Sequence, residues 1–218
     1  MTTGQTDDLI NTLVSDAPPV RPLASPLKRA TSMLGLLALA AGLALALLGD
    51  WSQLRGRYSG REELLILETS AMAATAVFAI VGAFFLSIPG RSTWWRLAPV
   101  PPFLLWLMLS GAGCYSDLVR NGPSGRDISH SVDCLIFILA VSLPVGAPLM
   151  SRLSRALPID PVPVALLGGL GTAAAAAFML QFFHPFAVTF LDLAVHLAAI
   201  GLVVGATALI NRRALSPG

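Results

Sequence analysis

Two cysteines and three histidines hold most of the metal and redox chemistry open to this chain. Cys114, His130, Cys134 and His184 all fall at or beside the ends of long apolar runs, and the run order puts all four near one outer membrane boundary. Thiolate and imidazole together are good ligands for zinc, cadmium or copper, and two thiols on an oxidising face can form a disulfide. His130 and Cys134 lie four residues apart and share a face if a helix starts that early. Plainer readings stand beside metal sensing: two unrelated buried cysteines, a structural disulfide, or histidines that only anchor at the interface. No short metal-binding spacing is present. Asp192 and His196, four apart inside the last apolar run, are a second pair. They can satisfy each other by a hydrogen bond, or relay a proton in a small transporter or channel.

The elements that must position these residues are six apolar stretches, at about 31–49, 69–88, 97–114, 134–150, 163–183 and 186–210. Each approaches the ~20 residues that a hydrocarbon core of ~30 Å requires, and hardly a charge lies inside any of them. Hydrophobic residues make up 55% of the chain and charged ones 12%, half the share usual for a soluble domain. The expected fold is therefore all-α, a polytopic bundle of six transmembrane helices over residues 31–213. A cytoplasmic head over 1–30 precedes it and a short tail over 214–218 follows. No length remains for a soluble catalytic domain, and no cluster resembles a nucleophile with its base, so no enzyme is expected. A formal net charge of +2 with scattered basic residues speaks against direct nucleic-acid binding.

With the head inside, the inner segments hold Arg21, Lys28, Arg29, Arg91, Arg96, Arg152, Arg155, Arg212 and Arg213. The outer loops hold Arg55, Arg57, Arg61, Arg120 and Arg126, diluted by Asp50, Glu62, Glu63, Asp117 and Asp127. This asymmetry favours both termini in the cytoplasm. The first run begins too far from Met1 for an ordinary signal peptide and is read as a retained span.

In the head, residues 6–16 read as a short amphipathic helix. Thr6 is a candidate N-cap, and Asp7 and Asp8 would sit where the helix dipole favours negative charge. Leu9, Ile10, Leu13 and Val14 form one apolar stripe, and Pro18-Pro19 ends the helix before a proline-rich spacer over 17–30. So short a helix is marginal alone in water, and its stripe needs a partner. Asp7, Asp8 and Asp16, with no basic residue, would be repelled by anionic lipid, which leaves a protein partner as the better reading against a frayed tail. In the body, Gly168, Gly169, Gly171, the run Ala173 to Ala177, and Gly201 with Gly205 are expected to let helices approach closely. Homo-oligomerisation stays open. Pro99, Pro101, Pro102, Pro144 and Pro148 predict kinks or irregular helix ends.

In order and spacing these pieces resemble the NrsF family of bacterial membrane anti-sigma factors. The resemblance rests on Asp7-Asp8-Leu9-Ile10 with Leu13, on Pro19-Val20-Arg21-Pro22, and on Cys134 opening the fourth span. Leu143-Pro144, Arg155-Ala156-Leu157-Pro158 and the Gly/Ala-rich fifth span ending near His184-Pro185 complete it. It implies that the N-terminal segment, through Asp7, Asp8, Leu9, Ile10, Leu13 and Val14, holds an extracytoplasmic-function (ECF) sigma factor away from RNA polymerase. It also implies release on heavy-metal or oxidative stress, with cysteines involved in sensing. The family pattern places a second cysteine after the fifth span, where this chain has Phe183-His184-Pro185. Either His184 replaces that thiol or Cys114 supplies the second sulfur; a Cys134–His184 pair could bind a metal but could not form a disulfide. No resident cofactor is implied, and a Zn/Cd-type ion would enter only as a transient signal.

Overall fold

The computed structural model describes residues 3–16, 22–58, 62–121, 128–183 and 190–215. Among them there is no strand. The helices are α1 (Thr3–Asp16), α2 (Pro26–Leu48), α3 (Trp51–Tyr58), α4 (Glu62–Leu86), α5 (Val100–Asn121), α6 (Ile128–Ser154), α7 (Pro161–Phe183) and α8 (Phe190–Leu215), with a 3-10 turn at Thr93–Arg96. This is an all-α membrane bundle. By length and composition α2, α4, α6, α7 and the segment Thr93–Ser116 leading through α5 can each cross a membrane, and α8 supplies the apolar stretch Leu193–Thr207.

Several helix ends lie outside the apolar runs, for local reasons. The first membrane helix starts at Pro26 instead of residue 31, because Ser25 caps it, its hydroxyl accepting from the Lys28 amide at 3.3 Å. Pro26 at the first helical position costs nothing, since that amide has no acceptor within the helix. α3 was not foreseen. Asp50 starts it: one carboxylate oxygen accepts from the amides of Ser52 (3.0 Å) and Gln53 (3.2 Å) and from the Ser52 hydroxyl (2.6 Å). These hydrogen bonds hold the exposed Asp50 carboxyl below its ordinary pKa. α6 runs as one helix through Pro144 and Pro148, whereas Pro101 and Pro102 fall in the first turn of α5, where proline is tolerated.

The core is layered along the bundle. At the end where α2 begins, Ala30 and Met33 pack with Ile80, Ala83 and Phe84 of α4, Leu149 and Leu153 of α6, and Val164 and Leu167 of α7. In the middle, Met72 and Ala76 meet Trp106 of α5, Ala173, Ala174 and Ala177 of α7, and Ile200 of α8. A third cluster joins Cys134 and Ile138 of α6 to Ala176 and Leu180 of α7 and Ala199 of α8. α7 is the hub, packed against α4, α6 and α8. Its glycines are why. A Cβ on Gly169 would lie 2.8 Å from the Val204 Cα, and one on Gly171 would lie 2.7 Å from Ile80 Cγ1. Gly201 and Gly205 behave differently: a Cβ at either meets nothing within 4 Å, so this pair makes no close helix contact inside the bundle.

Candidate functional site

α1 begins at Thr3, so Thr6 is inside the helix and no acidic residue occupies the first turn. The helix ends at Asp16, and the Pro18-Pro19 stop lies outside the described residues. The Thr12 hydroxyl donates to the Asp8 carbonyl at 2.9 Å, and the Ser15 hydroxyl to the Thr12 carbonyl at 2.8 Å, so both are used within the helix. Leu9, Ile10, Leu13 and Val14 are all more than half exposed, as a stripe with nothing packed on it would be. Burying one such side chain is worth about 1.5–3 kcal/mol.

At the far end of the bundle, where α5 finishes and α6 starts, polar groups on four helices fall at one level, which their sequence positions alone do not show. Glu68 lies one helical turn from Met72, Ser110 one turn from Trp106, Gln181 one turn from Ala177 and His196 one turn from Ile200. α4 and α8 run opposite to α5 and α7, so all four steps of ~6 Å point to the same end. The Ser110 hydroxyl donates to Glu68 Oε1 at 2.5 Å, and Ser110, Gln181 and His196 are buried. Below the polar layer is the apolar Trp106 layer. Glu68 adds a carboxylate to the ionisable groups, Asp192 and His196, that the sequence places within the spans. Hydropathy begins the second apolar run at residue 69, whereas α4 extends the helix outward to Glu62.

The cysteines flank this layer. Cys114 is one turn beyond Ser110 on the same face of α5, and it is buried. Cys134, also buried, packs with Leu180 and Ala199, the neighbours of Gln181 and His196 along their helices. They approach by different routes, α5 packing on α4 and α8 and α6 packing on α7 and α8. Both are thiols, so the disulfide reading is not realised in this structure. α6 begins at Ile128, which puts His130 and Cys134 on one face of the same helix. The side chains of His130 and Asp192 and the whole of His184 lie outside the described residues. Among the described residues no three His, Cys, Asp or Glu side chains are grouped to hold a metal ion.

The sequence matches the model of the NrsF family, described as negative regulator of sigma F, over residues 13–216. The chain belongs to the NrsF family. Its role is thus that of a negative regulator of a sigma factor, carried by a membrane helical bundle. No curated protein and no solved structure matches it. The NrsF match takes in Leu13 and Val14 of the α1 stripe, Cys114, Cys134 and the whole polar layer. Asp7, Asp8, Leu9 and Ile10 precede it.

Proposed function

We propose that this NrsF protein is an inner-membrane anti-sigma factor that holds an ECF sigma factor through α1 and releases it when stress alters the polar layer at the far end of the bundle. One observation carries the reading. A negative regulator of a sigma factor presents an amphipathic helix whose apolar stripe is exposed along its length. Leu9, Ile10, Leu13 and Val14 would bury in a groove of the sigma factor, with Asp7 and Asp8 pairing with basic residues on its rim. The basic residues at the end where α2 begins support a cytoplasmic α1, on the side where a sigma factor is found.

Leu9→Asp with Leu13→Asp is expected to weaken sigma-factor capture at least about a hundredfold, on the scale of two interface hot spots. Membrane insertion should be unchanged, because neither side chain packs on the bundle. Co-purification of the sigma factor at wild-type levels with the double variant would discard α1 as the holding element.

For sensing, the supporting features are two buried thiols, Cys114 one turn beyond Ser110 and Cys134 packed with Leu180 and Ala199. A soft Zn/Cd-type ion or an oxidant reaching Cys134 would change the packing of α6 on α7 and α8, and through α7 the rest of the bundle. Cys134→Ser is expected to abolish induction by such metals while basal repression stays intact. A normal metal response of a sigma-dependent reporter would dismiss Cys134 as the sensor.

A further inference from the structure

At the end of the bundle opposite the polar layer, four cations lie at the adjoining ends of α2 and α6, and among the described residues no carboxylate is hydrogen-bonded to any of them. Lys28 and Arg29 lie in the first turn of α2, Arg152 in the last turn of α6 and Arg155 just beyond it. Arg29 is held from two sides: Nη2 donates to the Arg152 carbonyl, and the guanidinium lies 5.0 Å from the centre of the Phe84 ring. Arg152 Nη1 donates to the Ser32 hydroxyl at 3.3 Å. Every one of these acceptors is neutral. Asp160, in the loop that follows, pairs at 2.9 Å with Arg96 instead. The buried Nη1 of Arg29 has no acceptor among the described residues. Like charges packed this closely repel one another unless an anion joins them.

The rim of the cluster is apolar. Leu157 and Ile159, in the loop after α6, are among the most exposed aliphatic side chains of the protein, and Leu27 is exposed beside Lys28. Leu157 has φ 45°, in the left-handed region where a side chain is strained and glycine would not be. The backbone therefore spends conformational energy at the residue that carries an outward-pointing aliphatic group. Aliphatic groups beside cations, at the end of membrane-crossing helices, match the chemistry of a phospholipid at the boundary between headgroup and acyl chain.

We propose that Lys28 and Arg155 bind the phosphate of an anionic phospholipid in the field of Arg29 and Arg152, with Leu157 and Ile159 seated at its acyl boundary. Arg29 and Arg152, fixed by protein contacts, supply field and shape. Lys28 and Arg155, both exposed, reach the phosphate directly.

The test is native mass spectrometry of the full-length protein in neutral detergent, titrated with phosphatidylglycerol, phosphatidylcholine or inorganic phosphate. Wild type should bind phosphatidylglycerol about tenfold or more in preference to phosphatidylcholine, and the pair Lys28→Gln with Arg155→Gln should lose that preference. Both positions are exposed, so the pair leaves the core intact, whereas Arg29→Gln tests the fixed half of the cluster and can disturb folding. Equal phosphatidylglycerol affinity in wild type and the Lys28/Arg155 variant overturns the proposal. Displacement of the lipid by inorganic phosphate at equal concentration also overturns it, making this a free-anion site. So does loss of sigma-factor capture by that variant with lipid binding unchanged, which assigns the cations to the protein partner.

Discussion

α2 and α7 are both helices of 23 residues, and each is apolar enough to cross a membrane. Of the most apolar stretch of α2 only 6% is buried inside the protein, against 61% for α7. Hydrophobicity does not separate them, because lipid tails solvate leucine as well as a protein interior does. What separates them is size. α7 carries glycine and alanine on the sides that face α4, α6 and α8, so backbones approach closely enough for dispersion to hold them. α2 carries leucines almost all round and touches the body mainly through its first turns, at Ala30, Met33 and the Arg29 guanidinium. One helix is the axle of the bundle. The other is attached at one end and leaves most of its length to lipid.

Substitutions that add or remove volume should fall unequally on the two helices. Gly169→Val in α7 drives a branched side chain against the α8 backbone, and overpacking of this kind costs about 1–3 kcal/mol. Gly35→Val in α2 meets open space and should change stability by less than about 0.5 kcal/mol. Unfolding midpoints of both variants in the same detergent compare them directly, and equal losses would remove the distinction between axle and periphery. A smaller contrast lies within α2. Met33→Ala opens a cavity at the buried end of α2 and should cost about 2 kcal/mol, whereas Leu39→Ala on the exposed side should be near neutral. If Leu39 proved as costly as Met33, α2 would have a second protein contact along its outer half.

The smallest effect concerns α3, the short helix after α2. The folded-state pKa of Asp50 is depressed by the Ser52 and Gln53 hydrogen bonds, so its stabilising contribution is present above the unfolded-state value and is lost as pH falls through the folded one. Amide exchange at Ser52 and Gln53 should therefore accelerate in acid, below the ordinary aspartate range, while exchange in α7 stays slow. Asp50→Asn should remove that acid dependence and keep most of the cap.

Much of this was legible in the residues. The apolar runs, with hardly a charge in them, imply an all-helical membrane bundle, and the stripe of Leu9, Ile10, Leu13 and Val14 implies an amphipathic helix, which forms with that stripe exposed. Ser25-Pro26 and Asp50 are legible as helix starts too, but hydropathy marks only where apolar residues begin and not where a helix is capped. Gly201 and Gly205 misled, since spacing says that two small residues share a face and not whether that face meets a neighbour.

The sequence by itself determined which segments become helices, which of them are membrane-like, and which short helix is left amphipathic. Those outcomes follow from local backbone preferences and from transfer of side chains out of water, and both are properties of single segments. The tertiary structure alone decided that α7 is central and α2 peripheral. It also decided that Glu68 meets Ser110, that Cys114 and Cys134 flank one polar layer, and that Arg29 is shut in beside Arg152 at the opposite end. Each of these depends on the rotation of one helix against another, and in lipid that rotation is set by close packing of small residues on α7, which no segment specifies alone.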